Sequence, residues 1–294
     1  MIRVAKPAAA SIETWFGVGG GADALVTPRS VEDLCAAIRE HDPALGPVRV
    51  LGDGANLLVS DDGVDGLVID TKELNSVEWI DTGVRAGAGA GLPKLVTEAC
   101  RRGLGGLEGL GGVPASLGGA VRMNAGGAFG EIADSVRTVR VVNSLGDEHT
   151  LKPSELEFGY RRSNLSGLIV VEAELALPGA DPQALRARLK EVMAHKKDAQ
   201  PLAANSAGCV FKNPDVDGER VSAGRLIDKA GLKGERIGGA SVSERHGNFV
   251  VVEDGATASH VLALIDRVRE RVLAECGVGL EQELVVWKRG VPDE

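Results

Sequence analysis

GGLEGLGGVPASLGGAVRMNAGG, residues 105–127, is the stretch on which the reading of this chain turns. Its glycines are interleaved with Leu, Val and Met rather than with Ser or Pro, so it does not read as a solvated linker. Main chain so free of Cβ atoms can lie flat against a partner. That partner is either the protein itself, in a glycine-lined helix–loop packing motif, or a planar or phosphorylated ligand. We favour the ligand.

Two glycine clusters lie upstream. Gly87-Ala-Gly-Ala-Gly-Leu92 falls between a strand-like run and a helix, with Glu108 at about the distance of a ribose-binding acid. The dinucleotide fingerprint fails at Leu92, and the following GLGGLEGL is too glycine-rich for a buried parallel strand. Gly52-Asp-Gly-Ala-Asn56 lies between the β-like runs Pro47–Leu51 and Leu57–Val59. A hairpin turn and an anion-binding nest both fit it, and a Rossmann loop does not, because a strand rather than a helix follows.

Ser30 opens a helix over 30–41, with Asp33 three residues on and Leu34, Ala37 and Ile38 on one face. A second helix spans 92–102, with Pro93 in its first turn. Strand-like runs fill 67–91 and recur at 136–142, 148–151 and 168–177. PGADP at 178–182 is a turn signal, and the helix over 183–197 has a basic C-terminal end. Beyond it come a helix at 222–230, strands near 240–252, a helix at 257–275 and a final strand at 280–288. This order predicts an α+β fold in two domains: residues 1–180, itself two subdomains of about 1–68 and 69–180, and residues 181–294.

The net charge of −9 and 3% aromatic content leave no broad basic face or stacking platform, so no nucleic-acid partner is expected. No run approaches the roughly 20 apolar residues that cross a bilayer. The opening MIRVAKPAAASIETW lacks the apolar run of a secretory signal. A soluble, cytoplasmic protein without a membrane partner is expected. Cys35, Cys100, Cys209 and Cys276 form neither a CxxC pair nor a zinc spacing with the histidines, so no metal is expected.

Ser206-Ala-Gly-Cys-Val-Phe-Lys-Asn-Pro214 sets a thiol between a permissive glycine and a β-like Val-Phe. A lone cysteine is ordinarily a small core residue. Gly208 before it and Lys212-Asn213-Pro214 after it favour an exposed turn, where a thiol of pKa about 8.5 stays protonated near neutral pH and can serve as a general acid. Arg161 and Arg162, in Gly159-Tyr-Arg-Arg-Ser163, are either a solvated pair or a carboxylate clamp. Leu280-Glu-Gln-Glu-Leu-Val-Val286 alternates, which puts Glu281 and Glu283 on one strand face.

In order along the chain, Thr14-x-x-Gly-Val-Gly-Gly20, Leu51-Gly-x-Gly-x-Asn-Leu-Leu-Val59, Gly106-Leu-Glu-Gly-Leu-x-Gly-Val-Pro114, Gly118-Gly-Ala-Val121, Met123-Asn-Ala-Gly126, Phe158-Gly-Tyr-Arg161, Ser206-Ala-Gly-x-Val-Phe-Lys-Asn-Pro214, Ala223-Gly-Arg-Leu-Ile227 and Leu280-Glu-x-Glu283 resemble the UDP-N-acetylenolpyruvoylglucosamine reductase family. The match runs from about residue 13 to 285. It implies an FAD-binding module of the vanillyl-alcohol-oxidase (PCMH) type followed by a C-terminal α+β substrate-binding domain. It implies tightly bound FAD along 14–20, 52–57 and 109–126. The cofactor contacts would come from Gly17, Gly19, Gly52, Gly54, Ala55, Asn56, Leu57, Gly109, Gly112, Val113, Pro114, Ser116, Gly118, Gly119, Ala120, Asn124 and Gly126.

By the same resemblance NADPH is the reductant, and hydride reaches the outer vinyl carbon of an enolpyruvyl ether on a UDP-sugar, giving UDP-N-acetylmuramate for peptidoglycan synthesis. Arg161 and Glu283 match residues that stabilise the charge this leaves on the next carbon and its carboxylate. Tyr160, Lys212, Asn213, Arg225, His246 and Asn248 are the substrate-binding candidates.

Some positions depart from the family pattern. Cys209 stands where the best-known members carry a proton-donating serine, and a thiol, the stronger acid by several pKa units, keeps that role with less help. Asp53 and Ala55 replace the common Gly and Ser, and Ala115-Ser116-Leu117 replaces Gly-Thr-Val. A carboxylate at 53 would repel a diphosphate unless it is turned away. The short interval from Arg161 to Cys209 resembles the family type that lacks an extra substrate-covering loop. A monomer is expected. The runner-up is another FAD-dependent oxidoreductase of the same superfamily, which would have no need of Arg161, Cys209 and Glu283 together; a nucleotide-binding module without catalysis comes third.

Overall fold

The computed structural model describes residues 10–291; the first nine residues of the opening stretch read above lie outside it, as do residues 292–294. Two compact units form. One is made of Ala24–Asp53 and Gly66–Lys196, the other, among the described residues, of residues 10–23, Gly54–Asp65 and 197–291.

In the first unit, strands Glu148–Leu151, Val136–Val142, Ile169–Ala176, Gly83–Gly87 and Val77–Ile80 lie in that order in one antiparallel sheet. Alternation along them sends Val139, Val141, Val84, Ala86, Ala173 and Leu175 into a core shared with helices Leu92–Arg102 and Leu117–Arg122. Ile169, Val171 and Val142 bury a second cluster with Leu34 and Ile38 of helix Val31–Glu40. That helix starts where the sequence says it should, because the Ser30 side chain accepts from the Asp33 N–H at 3.1 Å. Helix Leu92–Arg102 ends on Gly103, whose φ of 73° is the left-handed cap that glycine adopts without strain.

The second unit packs Phe16, Leu58, Val210, Phe211 and Ile227 against Val261, Leu264, Ile265 and Val268 of helix Ala258–Cys276. Asp61 caps this helix, accepting from the Ala258 N–H at 2.8 Å and the Ser259 N–H at 2.9 Å. Strands Ala240–Val242 and Val250–Val252 pair antiparallel, and Leu57–Val59 runs parallel to Val285–Trp287.

Three expectations are corrected here. The runs flanking the Gly52–Asn56 loop form no hairpin: Val48–Leu51 pairs in parallel with Val64–Asp70, whereas Leu57–Val59 joins Val285–Trp287. The final strand is shorter than 280–288, covering only Val285–Trp287. The Glu283 and Leu284 N–H groups both point at the Val210 carbonyl, a bend that ends the alternation and leaves Glu281 and Glu283 outside a regular strand. The units also divide the chain differently from a cut at 180, since Pro182–Lys196 belongs with the first unit and residues 10–23 and Gly54–Asp65 with the second.

Candidate functional site

In the first unit, the candidate cofactor loops are zipped together by backbone bonds. Leu92 N–H donates to the Ala115 carbonyl, Leu117 N–H to Ala90 and Gly118 N–H to Ala88, all at 2.8 to 2.9 Å. Ser116 is buried and caps helix Leu117–Arg122, accepting from the Gly119 N–H at 3.3 Å. Any side chain at Gly52 would strike the Ser116 hydroxyl.

Much of the glycine in this region serves packing within the protein. A Cβ at Gly118 would lie 2.8 Å from Ala88 Cβ, one at Gly126 would lie 2.6 Å from Glu131 Cβ, and one at Gly109 would overlap the Phe129 carbonyl. At Gly87 and Gly89 a Cβ would meet the Leu74 and Thr71 carbonyls, which accounts for the motif that imitated a dinucleotide fingerprint. Gly119 differs: it is exposed, with only Ser116 Oγ near a would-be Cβ. Val113 and Pro114 are half-buried and Ala120 is buried.

Asn124 holds a left-handed φ of 44° and is buried. Its Nδ2 donates to the Gly159 carbonyl at 3.0 Å and its Oδ1 accepts from the Ala133 N–H at 3.2 Å, so its amide fixes the Phe158–Ser163 hairpin. At the tip Arg161 has a left-handed φ of 56°, with its guanidinium carbon 5.5 Å from the centre of the Tyr160 ring. Burial, and then the charge of Arg161, bring the Lys196 ammonium down to about 8. Burial also lowers the Arg122 guanidinium, whose backbone carbonyl accepts from Ser163 Oγ at 2.6 Å. Three cations thus gather on one hairpin and its surroundings. Lys196 and Arg122 were missed in the sequence, where a basic helix end reads as a match to the helix dipole. The available signal was the i,i+3 spacing that sets Met193 and Lys196 together against Gly112.

Asp53 keeps contact with solvent, yet desolvation and the neighbouring Asp70 carboxylate raise it above the ordinary carboxylate value.

The second unit brings the remaining candidates together. Gly17, at φ 67°, closes a turn by donating its N–H to Thr14 Oγ1 at 3.3 Å, and Trp15 N–H donates to the Gly54 carbonyl at 3.1 Å. Gly54 has φ 63° and Gly19 φ 107°, and a Cβ would overlap the Glu13 carbonyl at the first and the Val59 carbonyl at the second. Among the described residues, the N–H groups of Asp53, Gly54 and Ala55 meet no acceptor. A loop with bare amides and no room for side chains fits a phosphorylated ligand such as FAD. Leu57 continues from it into the buried strand.

The same loop is tied to the acid candidate. Asn56 Nδ2 donates to the Glu283 carbonyl at 3.1 Å, and Glu283 N–H donates to the Val210 carbonyl at 2.8 Å. Cys209 is half-buried and bridges Phe249. One unit therefore joins a glycine loop to the segments that carry Glu283 and Cys209, through the Asn56 side-chain amide and then the backbone.

The substrate-binding candidates fare less evenly. Asn248 is corrected: it is buried, and its amide is taken up by both polar groups of the Phe211 backbone, at 2.9 and 2.8 Å. Asn213 Oδ1 accepts from the Ala223 N–H at 3.0 Å, next to the cap of helix Ala223–Lys229. Lys212 pairs with Glu281 at 2.5 Å. His246 Nδ1 accepts from the Asn248 N–H at 3.2 Å, and burial followed by the charge of Lys233 lowers its pKa. Arg225 is exposed.

A family model for an FAD binding domain matches residues 22–152, and one for the C-terminal domain of UDP-N-acetylenolpyruvoylglucosamine reductase matches residues 200–287. The chain is 42% identical over 285 residues to UDP-N-acetylenolpyruvoylglucosamine reductase of Moorella thermoacetica, spanning 96% of this chain and 92% of the relative. It is 46% identical over 275 residues to the enzyme of that name from Thermus thermophilus, covering 93% of this chain and 96% of the relative. The crystal structure of UDP-N-acetylenolpyruvylglucosamine reductase (MurB) from Thermus caldophilus matches with a TM-score of 0.84 and 44% identity, over 98% of this chain and all of that one. With its glycine loops, thiol and carboxylate placed as above, the chain belongs to the UDP-N-acetylenolpyruvoylglucosamine reductase family.

Proposed function

We propose that this chain is an FAD-dependent reductase that uses NADPH to convert the enolpyruvyl ether of UDP-N-acetylglucosamine into UDP-N-acetylmuramate, a step of peptidoglycan precursor synthesis. The observation that carries it is the bonded run Asn56–Glu283–Val210, in which the Asn56 side-chain amide donates to the Glu283 carbonyl and the Glu283 N–H to the Val210 carbonyl, setting a cofactor loop and the segments that carry Glu283 and Cys209 in one frame. When bound in the glycine loops, FAD would supply the redox chemistry of this reaction.

The side chains handle charge and the proton. Hydride addition leaves negative charge on the carbon next to the carboxylate, and Arg161 balances that carboxylate. Glu283, as a neutral acid, donates a hydrogen bond to the same developing charge. Cys209 gives its proton to the carbon, completing addition of H₂ across the double bond, and the thiolate recovers a proton from solvent. Lys196 and Arg122, desolvated beside the Arg161 hairpin, supply further positive charge for an anionic substrate.

By the same reading the protein is a cytoplasmic monomer. Among the described residues no helix is long and apolar enough to cross a membrane. The test is anaerobic addition of the enolpyruvyl UDP-sugar to NADPH-reduced protein. The visible flavin band should return, with stoichiometric UDP-N-acetylmuramate. Protein that carries no flavin, or reduced flavin that this substrate leaves bleached, would overturn the proposal.

A further inference from the structure

We infer that Asn248 is a positioning residue for the proton donor, fixing the Cys209 segment against Glu283; the inference rests on the reductase reading above. Asn248 makes four hydrogen bonds, and three of them land on the two residues that follow Cys209. Val210 N–H donates to its carbonyl at 2.9 Å, Phe211 N–H donates to its Oδ1 at 2.9 Å, and its Nδ2 donates to the Phe211 carbonyl at 2.8 Å. The fourth runs from its own N–H to His246 Nδ1 at 3.2 Å. The Val210 carbonyl then accepts from Glu283 at 2.8 Å and Leu284 at 3.2 Å. One buried residue therefore registers the thiol segment, its side-chain amide on Phe211 and its backbone carbonyl on Val210, and through Val210 the segment that carries Glu283.

The residue on the other side of Cys209 is a glycine. Gly208 holds φ 76° with nothing within 4 Å of a would-be Cβ, and it has no side chain of its own to anchor the turn. Val210 and Phe211, held by Asn248, fix the backbone next to which the Cys209 side chain projects. A proton donor must stand close to the carbon it serves, and a misplacement of about 1 Å can cost on the order of 10²-fold in rate. A buried asparagine that only filled space would have no reason to slow proton delivery and spare hydride uptake.

The experiment follows the two half-reactions in holoenzyme by single-turnover absorbance, in Asn248→Ala, Cys209→Ala and the double variant, and in Asn248→Asp across pH. Asn248→Ala should leave NADPH-driven bleaching at its normal rate and slow reoxidation by the enolpyruvyl UDP-sugar about 100-fold. In the Cys209→Ala background it should cause no further loss, because it acts through that thiol. Asn248→Asp should be slow when ionised and recover as pH falls, because the protonated carboxyl again donates to the Phe211 carbonyl. Equal slowing of both half-reactions, loss of flavin, effects that multiply in the double variant, or no recovery at low pH would each overturn the inference alone. Normal reoxidation by Cys209→Ala would instead remove the proton-donor reading and this inference with it.

Discussion

Cys209 illustrates what a residue can and cannot declare in a sequence. Its neighbours Gly208 and Lys212 point to a turn, but whether the sulfur is accessible depends on packing contributed by Phe249, forty positions away; the structure leaves it half-buried. Asn248 was misjudged for the same reason, since an asparagine between His246 and Phe249 reads as a ligand until the backbone of Phe211 is seen to occupy its amide. Cys209→Ser should retain partial turnover, because a hydroxyl can deliver the proton but is the weaker acid; steady-state kcat at saturating substrate checks this. Lys196 gives a pH signature. At about 8, against an ordinary 10.5, it loses its charge as pH rises through 8 in the folded protein, while the unfolded chain still holds the proton. KM for the anionic UDP-sugar should therefore climb above pH about 8, and Lys196→Met should flatten that climb. Stability has the opposite sign: between 8 and 10.5 the unfolded state binds more protons, so Tm should gain from this group as pH increases.

Helices were legible because their ends are written locally. Ser30 caps its helix as expected, and Pro93 sits where an N–H is dispensable. Glycine-rich loops were half legible: their density announced close approach, but not to what. At Gly118, Gly126 and Gly109 the neighbour is protein, while Gly119 is exposed and the Asp53–Ala55 amides meet no acceptor among the described residues. The terminal strand was over-read because alternation from Leu280 to Val286 continues through a bend set by the distant Val210 carbonyl. Two substitutions separate these roles. Gly54→Ala forces a left-handed alanine against the Glu13 carbonyl, costing at least about 1–2 kcal/mol and lowering FAD content; denaturant unfolding and the flavin-to-protein absorbance ratio test it. Ser116→Ala removes the cap of helix Leu117–Arg122 and should cost about 1 kcal/mol in the same assay.

For the whole molecule, composition and the ordered run of motifs sufficed for the α+β class and the family, because both depend on residues spread along the chain. The way the chain is shared between units was not legible. The Gly52–Asn56 loop connects strands of two different sheets, and parallel pairings such as Leu57 with Val285 leave no trace in local periodicity. If FAD is held by the folded loops, its binding must stabilise the fold. Free FAD at 100 times its Kd should add about 2.7 kcal/mol, seen as a higher Tm for holoprotein than apoprotein. The account rests most heavily on division of the chemistry into a hydride that needs no thiol and a proton that does. Its most direct test is Cys209→Ala, reduced anaerobically with NADPH and then mixed with the enolpyruvyl UDP-sugar. Bleaching at the normal rate, followed by failure of the visible flavin band to return, is the predicted result; return at the wild-type rate would contradict it.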